Sequence, residues 1–140
     1  KTGEDRRELL NLTEYLKKQV SKDWMVQGGA GRVVLDRRTG LVWQMKTDGV
    51  QRNWEDASRY CQNLVFGGYF DWRLPKIEVL KGLIGRTSLF ESFPKYGTFW
   101  SSSQNKIYKT RASGAYFPSG SSSGSIIKTS NFYVLCTRGG

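Results

Sequence analysis

The chain of 140 residues contains no histidine, which removes the usual general base near neutral pH and the commonest metal ligand. Most hydrolase mechanisms are disfavoured by that gap, so neither catalysis nor a cofactor is expected. Acids are missing from one whole region: the last carboxylate side chain is Glu91, and residues 92–140 carry none. A calcium-dependent sugar site is therefore not expected there, because calcium wants several carboxylate or carbonyl oxygens. No apolar run approaches the roughly 20 residues that span a bilayer, and no charged-then-apolar leader precedes Lys1. Membrane insertion is not expected, and a chain that begins without methionine reads as a mature product or an excised fragment. Cysteine is limited to Cys61 and Cys136, which allow a single pairing.

The chain is well supplied with large apolar groups and with positive charge. Five Trp, seven Tyr and seven Phe within 38% hydrophobic residues are enough to build one core, and the length suits one domain with a short appendage. The 22 Lys and Arg against 12 Asp and Glu give a net charge of +10, which favours anionic partners. The acid-free third still carries Lys95, Lys106, Lys109, Arg111, Lys128 and Arg138. The plain alternative is a solvated basic surface without a partner.

Two units are expected, an N-terminal helix over 1–27 and a domain over 28–140. Leu9, Leu12 and Leu16 are spaced three and four apart among charged residues, the stripe of an amphipathic helix. A helix this short needs a surface to bury it, either its own domain or a parallel bundle with Leu9 and Leu16 at a and Leu12 at d. Beyond the Gly28, Gly29 and Gly31 break, Arg32 to Asp36 and Leu41 to Gln44 read as a hairpin around Arg37-Arg38-Thr39-Gly40. Asn53, with Asp56 three residues on, signals a helix start; its face of Ala57, Tyr60, Cys61 and Leu64 is expected to run to Gly67-Gly68. Pro75 suits the first turn of a second helix with Ile77, Leu80, Leu83 and Ile84 inward. Short strands are expected at Phe99-Trp100, Ile107-Tyr108, Ala115–Phe117, Ile126-Ile127 and Phe132–Leu135, with Ser119–Ser125 as an exposed hairpin loop. Two helices followed by a mostly antiparallel sheet make an α+β arrangement.

Cys61 falls on the apolar helix face and Cys136 in the last expected strand. A bridge would fasten the C-terminal strand to the core and imply secretion or surface display; two buried thiols are the alternative. Trp43, Trp54, Trp72 and Trp100 read as core rather than sugar-stacking platforms, and Asp71 and Arg73 as a structural ion pair or backbone contacts.

An ordered set links these pieces: Thr39-Gly40-Leu41-Val42-Trp43, Trp54 with Ala57, Tyr60, Cys61 and Leu64, Gly67-Gly68, Asp71-Trp72-Arg73-Leu74-Pro75 with Glu78 and Leu80, Trp100-Ser101-Ser102-Ser103, and Tyr133-Val134 with Cys136 and Arg138. The series, covering about Gly31 to Arg138, resembles the C-terminal domains of the bacterial family named after the legionella collagen-like adhesin. The resemblance implies a C-type-lectin-like fold variant preceded by an N-terminal trimerisation helix, surface exposure, and, for the collagen-like adhesins, a homotrimer that binds sulfated glycosaminoglycans. It also gives meaning to Gly3-Glu4-Asp5 as the last triplet of a collagen-like stalk. Lys76 and Leu135 depart from the pattern, where the family usually has a capping Thr and a basic residue.

Most of these matches are scaffold, so ligand binding falls to the remaining cations. Lys106, Lys109, Arg111 and Lys128, with Lys95 and Arg138, are the candidate ligands for sulfate, which Arg forks, Lys point charges and hydroxyl or backbone donors hold best. Lys109 and Arg111 would share a strand face by two-residue alternation, and Arg37 and Arg38 form a secondary candidate. Extracellular nucleic acid is the rival partner, since phosphate attraction rests on the same charge. A purely structural cap on a three-stranded stalk is the third reading.

Overall fold

The computed structural model describes residues 23–28 and 31–140. The helix expected to carry Leu9, Leu12 and Leu16 lies outside the described residues. The elements are β1 (Trp24–Gln27), β2 (Val33–Asp36), β3 (Leu41–Gln44), α1 (Trp54–Asn63), α2 (Ile77–Lys81), a 3-10 turn (Thr87–Leu89), β4 (Gly97–Gln104), β5 (Arg111–Phe117), β6 (Ser122–Ile127) and β7 (Thr137–Gly139). Two antiparallel sheets result, with orders β1-β2-β3-β7 and β4-β5-β6. The α+β expectation is met, with two α-helices among the described residues. Trp24–Gln27, placed by sequence in the N-terminal unit, pair with β2 and belong to the first sheet.

The β2–β3 hairpin closes as its turn residues require. Gly40 takes φ +76°, and Asp36 accepts the Arg38 N–H on its carboxylate at 3.0 Å and the Gly40 N–H on its carbonyl at 2.8 Å. All four residues of β3 are buried because both faces of the sheet are covered. Val34 and Trp43 enter one apolar cluster with Leu80, Phe99 and Phe117, while Val33 and Val42 enter a second with Trp72, Trp100 and Cys136. In β4 the neighbours Phe99 and Trp100 divide between the clusters in the same way, the period-2 alternation of a strand.

Asn53 caps α1, its side chain accepting the Asp56 N–H at 2.9 Å, and Ala57 and Cys61 face inward. The helix stops at Asn63 instead of continuing to Gly67-Gly68. The chain turns out so that Phe66 and Tyr69, bonded to each other through their backbones, set their rings edge-on to Trp72 at 6.2 and 6.0 Å. Gly67 sits at φ +62° and in backbone contact with Gly31, where a Cβ would stand 2.9 Å from Gly67; this approach explains the glycines of both segments.

The second helix is also shorter than its apolar stripe. It ends at Lys81, and Leu83 reaches the core from the turn that follows, while Ile84 stays exposed. Pro75 lies before the cap rather than in the first turn. Lys76 at the cap position makes no side-chain cap; the Ser103 hydroxyl of β4 accepts the Ile77 N–H at 3.0 Å in its place. A side chain from another strand thus performs the capping that the local sequence lacks.

Two strand expectations and one loop expectation are corrected. Ile107-Tyr108 lies in the β4–β5 loop, and Phe132–Leu135 makes isolated bridges only, so that the last strand is β7. The Ser-Gly run forms most of β6, an exposed edge strand, because pairing with β5 outweighs the poor strand propensity of Ser and Gly. Cys61 and Cys136 are bonded and fully buried, 75 positions apart in sequence. Gln44 seals the same seam: its side-chain oxygen accepts the Cys136 N–H at 2.7 Å and its amide donates to the Lys46 carbonyl at 3.1 Å.

Candidate polyanion-binding surface

The β4–β5 hairpin organises the cationic end of the molecule. Asn105 opens its loop, accepting the Ile107 and Tyr108 N–H groups on its side-chain oxygen at 2.9 and 2.8 Å. The Asn105 N–H donates to the Arg111 carbonyl, and the Arg111 N–H to the Tyr108 carbonyl. Through its side-chain amide Asn105 also reaches the Gly124 carbonyl of β6 at 2.8 Å. The loop is held in shape by one residue whose short polar side chain favours such turns.

Lys106 and Lys109 stand exposed on this loop, and Arg111 begins β5. The Arg111 guanidinium donates to the Ser125 carbonyl at 3.0 Å and lies 5.8 Å from the Tyr108 ring centroid. Register pairs Arg111 with Ile127, and the Lys128 N–H donates to the Thr110 carbonyl. Lys128 is thereby fixed beside the chain segment that joins Lys109 to Arg111. Its ammonium donates to the Gln104 side chain at 2.7 Å and sits 4.3 Å from the Trp54 ring centroid, while its carbonyl accepts the Trp54 N–H. Lys109 precedes β5, so it does not share a strand face with Arg111 by two-residue alternation; loop closure brings the four cations to one end of the second sheet instead.

None of these four pairs with a carboxylate among the described residues. The first turn of α1 brings Glu55 and Asp56 to the same end, but Asp56 faces Arg59 at 3.4 Å and the Lys128 ammonium is occupied by Gln104 and Trp54.

The other candidate residues are not part of this group. Lys95 lies before β4, whose eight residues span roughly 25 Å, and its ammonium is 5.7 Å from the Tyr96 ring centroid. Arg37 and Arg38 occupy the β2–β3 turn of the first sheet, where Arg38 lies 3.4 Å from the Asp36 carboxylate and Arg37 donates to the Met25 sulfur. Arg138 makes a two-pronged ion pair with Asp71, at 2.8 Å for both contacts, and covers the Tyr69 ring. Its charge is compensated, and the guanidinium holds the Asp71 carboxyl below the ordinary carboxylate range. Of the two readings for Asp71 and Arg73, an ion pair or backbone contacts, Asp71 takes its ion pair with Arg138 and Arg73 takes the backbone. Arg73 binds backbone, donating to the Gly139 carbonyl at 2.7 Å and exchanging main-chain bonds with Thr137.

The tryptophans of the sequence pattern are scaffold. Trp43, Trp72 and Trp100 are buried, and the indole N–H groups of Trp54, Trp72 and Trp100 donate to the carbonyls of Ser101, Phe66 and Arg52. Sequence reading overlooked Arg52, whose guanidinium grips Asp48 in two bonds of 3.0 and 2.6 Å and lies 4.0 Å from the Tyr60 ring centroid. It also overlooked Gln104 and Asn105. An Asn opening a polar loop was a readable turn signal, whereas nothing local marks Gln104.

A cleft of about 630 Å³, lined by none of the four cations, mixes both signs, with Arg32, Lys46, Asp48 and Glu91 around Met45 and Tyr60. Among the described residues no group of three His, Cys, Asp or Glu side chains could hold a metal, and no helix is long and apolar enough to cross a membrane. No curated protein matches the chain. The family model of the Lcl C-terminal domain matches residues 32–138, which takes in every element from β2 to the Asp71–Arg138 pair, and the chain belongs to that adhesin-related family.

Proposed function

We propose that this domain is the head of a surface-exposed, non-enzymatic adhesin that captures sulfated glycosaminoglycans on the calcium-independent cationic end of its second sheet. The observation that carries the reading is the convergence of Lys106, Lys109, Arg111 and Lys128 without a paired carboxylate among the described residues. Sulfate stays ionised at any physiological pH, and the site offers it lysine point charges, an arginine fork and the Ser125 hydroxyl beside Arg111. Single contacts of this kind are weak; a repeating polymer sums them, and a homotrimer joined through the N-terminal Leu9, Leu12 and Leu16 helices would sum them again. Family membership supports the adhesin assignment and the C-type-lectin-like reading of the fold, and the buried disulfide agrees with an extracellular setting.

The test is heparin binding by wild type and by a variant with Lys106→Gln and Lys109→Gln, chosen because both side chains are exposed on the loop. Affinity is expected to fall on the order of tenfold at physiological salt, with a shallower salt dependence by about one unit of slope per cation removed. Unchanged elution would remove this surface from consideration. Duplex DNA of matched charge, run as competitor, distinguishes sulfate preference from general polyanion capture.

A further inference from the structure

The cationic hairpin displays something that sulfate binding leaves unexplained. Ile107 is 81% exposed and Tyr108 58% exposed, both at the tip between Lys106 and Lys109. An aliphatic side chain presented this fully to water contributes nothing to a sulfated sugar.

From this tip we infer a second activity: peripheral docking on anionic lipid bilayers, with Ile107 buried among the headgroups and the surrounding cations on the lipid phosphates. The arrangement has the three parts such docking needs. An apolar point is ringed by lysines, whose stems can lie along the membrane boundary while their ammonium groups stay in water. Tyr108 adds an aromatic ring with a polar end, a residue type enriched at that boundary. Three backbone groups of the tip are already satisfied within the protein: the Ile107 and Tyr108 N–H groups are held by Asn105 and the Tyr108 carbonyl by Arg111. Entering the headgroup layer therefore strands none of these groups, and that desolvation penalty is avoided. Such a tip rests on a bilayer without crossing it. Contact with a second copy of the chain is disfavoured by the charge, because a tip-to-tip pairing would set Lys106 and Lys109 against their own counterparts.

The experiment is co-sedimentation of the full chain with vesicles of phosphatidylglycerol and phosphatidylcholine, and with phosphatidylcholine alone, alongside heparin elution and sedimentation velocity. Wild type should bind the mixed vesicles and not the neutral ones. Ile107→Ser should weaken vesicle binding by about tenfold while leaving heparin elution and sedimentation unchanged; the side chain is so exposed that folding is not at stake. Ile107→Trp should restore binding. Equal vesicle binding by wild type and Ile107→Ser would overturn the inference in favour of charge alone, and a change of oligomeric state in Ile107→Ser would overturn it in favour of contact between copies. Loss of heparin binding in wild type with the vesicle pattern intact would count against the polysaccharide reading only.

Discussion

Arg138 and Lys109 come from the same acid-free stretch of sequence, and the fold treats them oppositely. Arg138 finds Asp71, 67 residues away, in a two-pronged pair beside the Tyr69 ring. Lys109 stands on a loop with no carboxylate partner among the described residues. A region that lacks acids along the chain is therefore not uniformly cationic in space. The first sheet recruits Asp36 and Asp71 to its arginines, whereas the outer end of the second sheet receives no such partner. Charge that is matched serves the scaffold; charge left unmatched is available to a ligand.

The widest perturbation of this contrast is removal of the disulfide that ties the matched region to α1. Cys61→Ala with Cys136→Ala opens a loop of 75 residues and should cost roughly 4 kcal/mol in the chain-entropy account, seen as an earlier urea midpoint, while protein that remains folded still binds heparin. Next in size, Arg111→Gln with Lys128→Gln should lower heparin affinity on the order of tenfold, whereas Arg138→Gln should leave elution unchanged, because its charge is already spent on Asp71. Equal losses in the two variants would erase the distinction between the regions. Asp71→Asn frees Arg138 and is expected to raise heparin retention slightly, a gain smaller than either loss.

The smallest effect is acid sensitivity. Asp48 and Asp71 are both held below the ordinary carboxylate value of 3.8, chiefly by hydrogen bonds from Arg52 and Arg138 respectively. Groups depressed in the folded state stabilise it above the unfolded value, and this contribution is lost as pH falls through the folded one. Thermal unfolding followed from pH 6 downward should show the loss beginning near pH 4, with a flatter acid limb in Asp48→Asn. Neither Asp48 nor Asp71 belongs to the heparin surface, so capture by folded protein should not follow the same curve.

Much of this architecture was legible because local chemistry and tertiary packing agree. The Asn53 cap, the Arg37–Gly40 turn and the apolar faces around Ala57 and Leu80 each state their own structure. Where the two disagree, the sequence misleads. Ile107-Tyr108 has strand composition but is folded into a turn by Asn105; the Ser-Gly run has loop composition but is paired by β5. Both helices stop before their apolar stripes do, since Phe66 and Leu83 reach the core from turns. The cationic residues were visible individually, yet their sorting was not. It depends on Asp71 meeting Arg138 and on Lys128 meeting Gln104, contacts set by sheet register rather than by neighbours in the chain.

Lys128 shows what that sorting permits. Its main chain closes the gap between the two halves of the fold, taking Thr110 on one side and Trp54 on the other, and neither bond depends on which side chain the position carries. The architecture can thus stay constant while evolution exchanges the outward chemistry of this rim, so relatives sharing the scaffold are free to differ in what they hold.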